Sequence, residues 1–286
     1  MLRKLTRETW KKYADYAYEL ALCPAKTSYP VYYDGIKTKE DFISRAEKAF
    51  DLEEEEILLY LEEGEPCGWI HYYSLEEERY LGIVSMSFSA HMERGLEVFL
   101  AYVGERFPNC EIDLGFPEEN RQALTWLAEN GFKIGEESYN DVFVMEKYQA
   151  REEAGGIARV TAENFSLFAK LHSLYEGEMY WNCERLRRNL DKWRIFLYCE
   201  GEVPLGAVYC TGDGLAEIFG VDFADGVYRS EVFRILTEAA LNACKAQGVR
   251  NLVFFNDRES QPDALALGFT CVGKYVLMVK KEGFGQ

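Results

Sequence analysis

The chain has 286 residues, 48% hydrophobic and 15% aromatic, enough for two globular domains and too apolar for a disordered protein. Its formal net charge of −17 lies mostly in the first 150 residues and repels phosphate backbones and anionic lipids, so we expect no nucleic-acid or membrane partner. No apolar run approaches the ~20 residues that cross a bilayer, and the amphipathic N-terminus indicates a helix rather than a signal peptide. We therefore expect a cytoplasmic protein.

The cysteines and histidines argue against disulfide or metal chemistry. The eight cysteines are widely spaced with no CxxC pair, and the three histidines show neither HxH nor HxxxH spacing. Disulfide scaffolds and zinc sites need clustered ligands. The sequence therefore predicts reduced thiols and no metal.

The first predicted elements of the chain occur twice. Leu2–Thr6 and Ile157–Thr161 both alternate apolar and basic residues and end in a threonine that could cap a helix. Ile57–Tyr73 and Ile195–Cys210 each contain an apolar strand, an acidic turn with glycine and a second strand. This pattern is typical of a β-hairpin.

The later elements repeat in the same order. After each hairpin come a strand, an amphipathic helix, another strand, a short helix, a Gly-Phe pair and a last strand. The matched strands are Leu81–Phe88 and Leu215–Phe223, then Glu111–Phe116 and Asn251–Asn256. Each half therefore predicts a mixed α/β domain with one right-handed parallel crossover. Charge and two glycines mark a linker, so we predict domains at residues 1–148 and 158–286, joined by residues 149–157.

The element order and the residues at its joints resemble the GNAT superfamily of acyl-CoA N-acyltransferases. In the first half the resemblance rests on GEPCGW at the hairpin and on ENRQALTWLAENGF, Glu119–Phe132. In the second half it rests on LAEIFGV, on the helix and strand of Ile235–Asn256 and on DALALGF, Asp263–Phe269. It covers nearly all of both halves. It implies two tandem GNAT-like domains forming an intramolecular pseudo-dimer, with acetyl-CoA or another acyl-CoA as cofactor.

The resemblance also implies where the cofactor binds. In that family the pantetheine arm lies between two parallel central strands, and its pyrophosphate rests on the amides that begin the next helix, where unpaired donors and the helix dipole attract an anion. In the second half these positions are Val221, Phe223, Arg229, Ser230, Glu231, Val232 and Asn256.

Both copies depart from the family's phosphate-binding pattern, R/Q-x-x-G-x-G/A. The second half has Val232 and Arg234 where glycines are expected, and the first half has Glu97 and Phe99. A carboxylate in an anion site repels the ligand. We therefore predict a degenerate, non-catalytic first domain and cofactor binding in the second.

In the reaction that the resemblance implies, an amine attacks the thioester of the cofactor. This reaction needs a base that takes the ammonium proton and an acid or hydrogen bond that stabilises the departing thiolate. Glu217 stands where histone-acetylating relatives carry a general-base glutamate; alternatively it is a polar residue at the start of a strand. Many relatives place a tyrosine four residues before the Gly-Phe pair as the acid, but here those positions are Leu127 and Ala264. Tyr209 or Tyr228 could substitute.

Two segments rich in aromatic residues could select the substrate. They are Ser28–Tyr33 and Leu174–Trp181. In the second segment the acidic residues could hold a cationic amine and the aromatic residues could enclose it; alternatively, the aromatics pack helices onto the sheet. The predicted substrate-binding residues are Tyr175, Glu176, Glu178, Tyr180 and Trp181.

The leading hypothesis is an acetyl-CoA-dependent N-acetyltransferase that acts on a small amine in its second half. The alternative is a degenerate tandem GNAT protein without turnover that binds a ligand or a protein partner. A third interpretation is a tandem pseudo-dimer whose domains pack together only for stability. This interpretation fits the first half when that half is considered alone.

Overall fold

The computed structural model describes residues 1–175 and 181–281. It divides into two compact units. Unit 1 contains Met1–Glu137 and the residues from Gly273 onward, and unit 2 contains Ser138–Val272. These limits differ from the predicted domains at residues 1–148 and 158–286, because the last strand of each sequence half pairs with the sheet of the other unit.

Unit 1 is a mixed sheet with helices on both faces. Its strands are β1 (Leu2–Lys4), β2 (Glu55–Glu62), β3 (Glu65–Leu75), β4 (Tyr80–Phe88), β5 (Glu111–Pro117) and the main part of β12 (Thr270–Lys280). Its helices are α1 (Lys11–Ala21), α2 (Lys39–Lys48), α3 (Met92–Arg106) and α4 (Arg121–Glu129). The strand order is β1-β2-β3-β4-β5-β12. Only β4 and β5 pair in parallel; the other neighbours are antiparallel.

The apolar pattern of β2 explains why unit 1 has helices on both faces. Ile57 and Leu59 belong to the core under α1 and α2, whereas Leu58 and Tyr60 belong to the core under α3 and α4. Successive side chains of a strand point to opposite faces. A continuous apolar run therefore buries both faces of the sheet.

Unit 2 has the same layout. Its strands are β6 (Lys133–Val144, from Ser138), β7 (Ile157–Arg159), β8 (Trp193–Glu200), β9 (Val203–Thr211), β10 (Leu215–Phe223) and β11 (Asn251–Asn256). Its helices are α5 (Phe165–His172), α6 (Cys183–Arg188), α7 (Ser230–Ala246) and α8 (Gln261–Leu267). The strand order is β6-β11-β10-β9-β8-β7, and only β10 and β11 pair in parallel.

The two faces of β10 carry different residues. Ala216 and Ile218 belong to the core under α7 and α8. Phe219 packs instead against the core under α5 and α6. The position of a residue along β10 therefore decides whether its side chain packs against α7 and α8 or against α5 and α6.

The copies match residue by residue. β4 has one residue, Val84, left over in its pairing with β3, and β10 has Phe219 left over in its pairing with β9. Counting from this bulge, Gly82 is the counterpart of Glu217. A shared irregularity at the same register is not expected from two unrelated sheets, and it confirms the predicted duplication.

Each sequence half gives its last strand to the other unit. β6 follows α4 in the chain, yet Tyr139–Val144 pairs with β11 of unit 2. Tyr275–Lys280 of β12 pairs with β5 of unit 1. This exchange explains why the compact units differ from the predicted domain limits. Both last strands follow a Gly-Phe pair and end in a similar apolar run, so local pattern does not specify which sheet each one joins.

No helix of the described chain has the length and apolarity that crossing a membrane requires. Within residues 1–175 and 181–281 there is also no group of three or more His, Cys, Asp or Glu side chains placed to hold a metal ion. None of the eight cysteines, all of which lie among the described residues, forms a disulfide bond.

Candidate functional site

The two parallel strands of unit 2 separate near the middle of β10. They pair from Leu215 opposite Asn251 as far as Ile218 opposite Phe254. Beyond that point the described residues of β10 pair with β9 alone. A cleft therefore opens between the carboxyl ends of β10 and β11, and the chain leaving β10 runs to the start of α7.

The start of α7 presents unpaired amides on the side where the cleft opens. Arg229 is the N-cap residue, with an extended backbone and no side-chain cap. Among the described residues, the N–H groups of Ser230, Glu231 and Val232 have no acceptor. Such donors, with the positive end of the helix dipole, attract an anion.

Val232 does not obstruct these amides. Its side chain is 4% exposed and belongs to the core under α7. A bulky residue where the family pattern has glycine therefore points away from the helix start. Arg229 forms an exposed ion pair with Asp225, four residues earlier in the chain.

The remaining predicted cofactor residues lie at the strand ends. Val221 and Phe223 belong to the separated part of β10. Asn256 ends β11 and is buried; its amide donates to Asp141 Oδ2 at 3.3 Å and its carbonyl accepts from the Ser260 hydroxyl. The side chain of Asn256 thus secures the turn before α8, which leaves backbone groups as the means by which it could contact a ligand.

The equivalent space in unit 1 contains part of the chain itself. β4 and β5 pair only from Tyr80 to Gly82 before they separate. The Ser28 N–H donates to the Met86 carbonyl of β4 at 2.7 Å, and the Tyr29 N–H donates to the Gly115 carbonyl of β5 at 3.0 Å. Residues 28 and 29 therefore bridge both separated strands.

Further hydrogen bonds fix this internal segment. The Phe88 N–H donates to the Lys26 carbonyl at 3.0 Å, and the Asn120 amide donates to the Thr27 carbonyl at 3.0 Å. Thr27 and Ser28 are 1% and 0% exposed. The first-half aromatic segment considered as a substrate-selecting loop thus begins by filling the space between two strands.

Burial along the two matched strands reflects this difference. In β4, Ser85 and Met86 are buried, at 6% and 0% exposure. Their counterparts in β10, Gly220 and Val221, are only half-buried. The middle of β10 is therefore more exposed than the matching part of β4.

Glu217 lies in the paired part of β10, opposite Thr211 of β9 and Val253 of β11. It is half-buried and alternates with Ala216 and Ile218, so it lies on the α5 face of the sheet. The structure therefore places the predicted base beside the closed end of the cleft. Its counterpart Gly82 in unit 1 has no side chain.

A buried histidine–carboxylate pair, which the sequence did not reveal, lies in unit 2. His172 Nδ1 is 2.8 Å from Asp222 Oδ2, and His172 Nε2 is 2.7 Å from the Trp181 carbonyl. His172 stacks on Phe168 and meets Tyr209 edge to face. Fifty residues separate the two partners, so no spacing motif could have indicated them.

The predicted substrate segment is only partly described. Glu176, Glu178 and Tyr180 lie outside the described residues. Tyr175 accepts a hydrogen bond from the Phe223 N–H at 3.4 Å. Trp181 packs against aromatic rings of unit 2, 5.0 Å from Trp193 and 6.4 Å from Phe219. Both described aromatics therefore contact the end of β10 or its neighbours.

The two tyrosines considered as substitute acids are engaged elsewhere. Tyr209 is fully buried, and burial raises its pKa well above the usual value. The Tyr228 hydroxyl donates to Asp263, and burial together with that carboxylate raises the pKa of Tyr228. Leu127 and Ala264, at the usual acid position, are fully buried.

A mixed sheet whose central parallel strands diverge, followed by a helix with free N-terminal amides, defines the GNAT fold. No family model matches this chain, and no curated protein matches it in sequence. Solved structures do match it. A GCN5-related N-acetyltransferase from Sphaerobacter thermophilus aligns with 100% of this chain and 96% of its own, at TM-score 0.64 and 17% identity.

Two further structures extend this similarity. A tandem GNAT protein from the clavulanic acid biosynthesis pathway aligns with 100% of this chain and 99% of its own, at TM-score 0.59 and 11% identity. N-myristoyltransferase from Saccharomyces cerevisiae with bound myristoyl-CoA aligns with 99% of this chain and 79% of its own, at TM-score 0.53 and 10% identity. The protein therefore has a tandem GNAT fold, as the sequence predicted.

Proposed function

We propose that the protein is an acyl-CoA-dependent N-acyltransferase that transfers an acetyl group from acetyl-CoA to a small amine. The reaction takes place in unit 2. The observation that carries this proposal is the contrast between the copies: within residues 1–175 and 181–281, no backbone segment bridges the separated ends of β10 and β11, whereas Ser28 and Tyr29 bridge the matching strands of unit 1.

The cofactor would lie in the cleft as an additional strand. Ser28 and Tyr29 show how an extended backbone spans such a space by bonding to both separated strands. A pantetheine arm carries amides of the same kind, so it could bond to the backbone of Val221 on β10. The diphosphate would then rest on the amides of Ser230, Glu231 and Val232.

Glu217 would serve as the base. An amine is protonated near neutral pH and attacks a thioester only after it loses a proton. A half-buried carboxylate on the α5 face could accept that proton, directly or through water. The GNAT-fold acetyltransferases that this chain resembles support acetyl as the transferred group.

A small amine fits the charge of the protein and the residues at the end of β10. The net charge of −17 favours the approach of a cation. Tyr175 and Trp181 contact the end of β10 or its neighbours and could enclose the carbon skeleton of the amine. Acetyl-CoA is itself an anion, so the helix amides must offset this charge locally.

A second candidate is a tandem GNAT protein without turnover that binds a ligand or a partner in the open cleft. The specific observations in its favour are the filled first copy and the buried Leu127 and Ala264 at the usual acid positions. Glu231 in the first turn of α7 also adds negative charge near the phosphate site.

Calorimetry and product analysis separate the two candidates. The enzyme hypothesis predicts one acetyl-CoA site per chain with micromolar affinity, because unit 1 is filled. It also predicts acetylated product from 1,4-diaminobutane or benzylamine. Mass spectrometry should detect this product, because the cysteines of the protein that are not buried would themselves react with a thiol reagent. Binding without product would favour the second candidate. Absence of heat at millimolar acetyl-CoA would exclude the enzyme.

A further inference from the structure

The hydrogen bonds of His172 fix the number of protons that its pair with Asp222 holds. The Trp181 carbonyl can only accept, so the Nε2 atom 2.7 Å away must carry a proton. One proton then lies between Nδ1 of His172 and Oδ2 of Asp222, which are 2.8 Å apart. The pair is therefore neutral, either as imidazole with carboxylic acid or as imidazolium with carboxylate.

This pair lies beside the proposed cofactor site. Asp222 follows Val221 directly and stands four residues beyond the last pairing of β10 with β11, at Ile218. Its bond to His172 uses Oδ2, and no described residue donates a hydrogen bond to Oδ1. The second carboxylate oxygen thus keeps its capacity to form a hydrogen bond with a bound ligand.

The first copy lacks the pair. The register of β3 with β4 makes Ser87 the counterpart of Asp222. Strands β1 and β7 occupy the same position in the two copies. The same number of residues counted from each strand leads to Ala17 in the first copy and to His172 in the second, so these two residues are counterparts. The copy in which Ser28 and Tyr29 bridge the separated strands thus has two small neutral residues at the positions where the other copy has two ionisable ones.

We propose that Asp222 is the catalytic group that moves the reaction's proton in unit 2, with His172 as the positioning residue behind it. This inference rests on the proposed function. It adds to that function a general acid, Asp222, in place of the tyrosine that Leu127 and Ala264 replace.

The proposed step balances. The amine nitrogen bonds to the thioester carbon, and its N–H proton passes to Asp222 Oδ1 while the proton on Oδ2 passes to His172 Nδ1. The C–S bond then breaks, and the thiolate takes the proton from Oδ1 as Nδ1 returns its proton to Oδ2. The amide and free CoA thiol leave, and the pair is neutral again. Glu217 has the earlier task of deprotonating the substrate ammonium.

The surroundings of Asp222 suit this exchange. Burial raises the pKa of Asp222, and the hydrogen bond from His172 opposes that rise. The other titratable groups facing this region, among the described residues, are Tyr209 on β9 and Tyr175 after α5. Burial raises the pKa of Tyr209 well above its usual value, so this phenol is neutral at physiological pH. Among the described residues, His172 is the group whose hydrogen bond and charge favour the carboxylate form of Asp222.

Unit 1 contains a similar pair that behaves differently. His71 Nε2 is 2.7 Å from Glu55 Oε2, but Arg45 also donates to both oxygens of Glu55, at 2.7 and 2.5 Å. Burial would raise the pKa of Glu55, but the bonds from His71 and Arg45 lower it to about 2. Glu55 is therefore held as a carboxylate, which makes it a matched control.

Asp222→Asn tests the proposal. The amide can donate to Nδ1 of His172 and keep the Nε2 bond to Trp181, so both hydrogen bonds survive while the exchangeable proton is lost. We expect kcat with acetyl-CoA and 1,4-diaminobutane or benzylamine to fall about 100-fold, with acetyl-CoA affinity unchanged. Glu55→Gln should keep the wild-type kcat.

The pH profile and NMR separate catalysis from a structural role. The chain has only three histidines, so the His172 ring can be followed in long-range ¹H–¹⁵N spectra. We expect the acid limb of the wild-type kcat to include a step that coincides with the titration of this ring and that is lost in Asp222→Asn, while the step due to protonation of Glu217 remains. This comparison in the wild type also decides the matter if the variant does not fold.

The outcomes are distinguishable. If the wild type binds acetyl-CoA and turns over, an unchanged kcat in Asp222→Asn or an acid limb unrelated to His172 overturns this inference alone. If the wild type forms no product with either amine, the proposed function fails and this inference fails with it.

Discussion

Two hydrogen bonds join Ser28 to Met86. The Ser28 N–H donates to the Met86 carbonyl at 2.7 Å, and the Met86 N–H donates to the Ser28 hydroxyl at 2.8 Å. Val221 occupies the position of Met86 in the second copy, and among the described residues its backbone forms no hydrogen bond outside the sheet. The same backbone position is thus filled in one copy and available in the other.

Removing the Ser28 hydroxyl should destabilise unit 1 without affecting ligand binding. Ser28→Ala leaves the buried Met86 N–H without its acceptor, which costs about 1–3 kcal/mol. Denaturant unfolding should show that loss, and calorimetry should show unchanged acetyl-CoA affinity. Ser74→Ala, also in unit 1, serves as the control and should stay within about 0.5 kcal/mol of wild type. A large loss of acetyl-CoA affinity in Ser28→Ala would place the binding site in unit 1.

Proline at the start of α7 should weaken cofactor binding without unfolding the helix. Ser230 is the first helical residue, its N–H has no acceptor among the described residues, and Arg229 before it is already extended. Proline is tolerated there but lacks the N–H. We expect Ser230→Pro to weaken acetyl-CoA binding about tenfold and Ser230→Ala to leave it nearly unchanged. Equal affinities for both variants would place the phosphates elsewhere.

Glu217→Gln should affect turnover rather than binding. The amide keeps the shape of the side chain but cannot accept the ammonium proton, so we expect kcat to fall about 100-fold while acetyl-CoA affinity stays close to wild type. Glu200→Gln, on exposed β8 surface, is the control. Wild-type kcat in Glu217→Gln would leave Glu217 with a structural role.

The ion pair of Arg229 with Asp225 should compete with cofactor binding. If the guanidinium can turn to a phosphate, Arg229→Ala weakens acetyl-CoA binding a few-fold. Asp225→Asn should strengthen it, because the amide oxygen still accepts from the Val227 N–H but no longer holds the cation. Titration calorimetry at low salt tests both variants, since exposed charges are screened at high salt. Opposite shifts support the competition; two unchanged affinities refute it.

Glu56 should make unit 1 sensitive to acid. Burial would raise its pKa, but hydrogen bonds from Lys4, Tyr72 and Arg106 lower it to about 2. Because the folded pKa is below the unfolded value of about 4.5, this stabilisation is complete above pH 4.5 and is lost as the pH falls towards 2. The free energy of unfolding should therefore decrease between pH 5 and pH 3.

The control for this pH dependence is a pair of substitutions. Glu56→Gln should be less stable than wild type by about 1–3 kcal/mol at pH 7 and should lose less stability on acidification. Glu53→Gln, on the exposed surface nearby, should follow the wild-type curve. Parallel curves for wild type and Glu56→Gln would show that Glu56 does not carry the acid sensitivity.

The local pattern of the sequence determined the elements and their order. Apolar periodicity and turn residues predicted both hairpins, the parallel strands and the helix that begins after Arg229. These signals depend on neighbours within a few residues. They also placed Glu217 and Val221 on one strand, β10, whereas the separation of that strand from β11 was implied by the resemblance to the GNAT superfamily.

Only the tertiary structure decided which distant segments meet. The exchange of β6 and β12, the insertion of Ser28 between β4 and β5, and the pairing of His172 with Asp222 each join residues many positions apart. Such contacts depend on strand register and helix placement, which local composition does not encode. For that reason the sequence indicated the fold and the strand that carries the candidate site, whereas the different contents of the two strand separations and the buried pair of His172 with Asp222 became visible only in the tertiary structure.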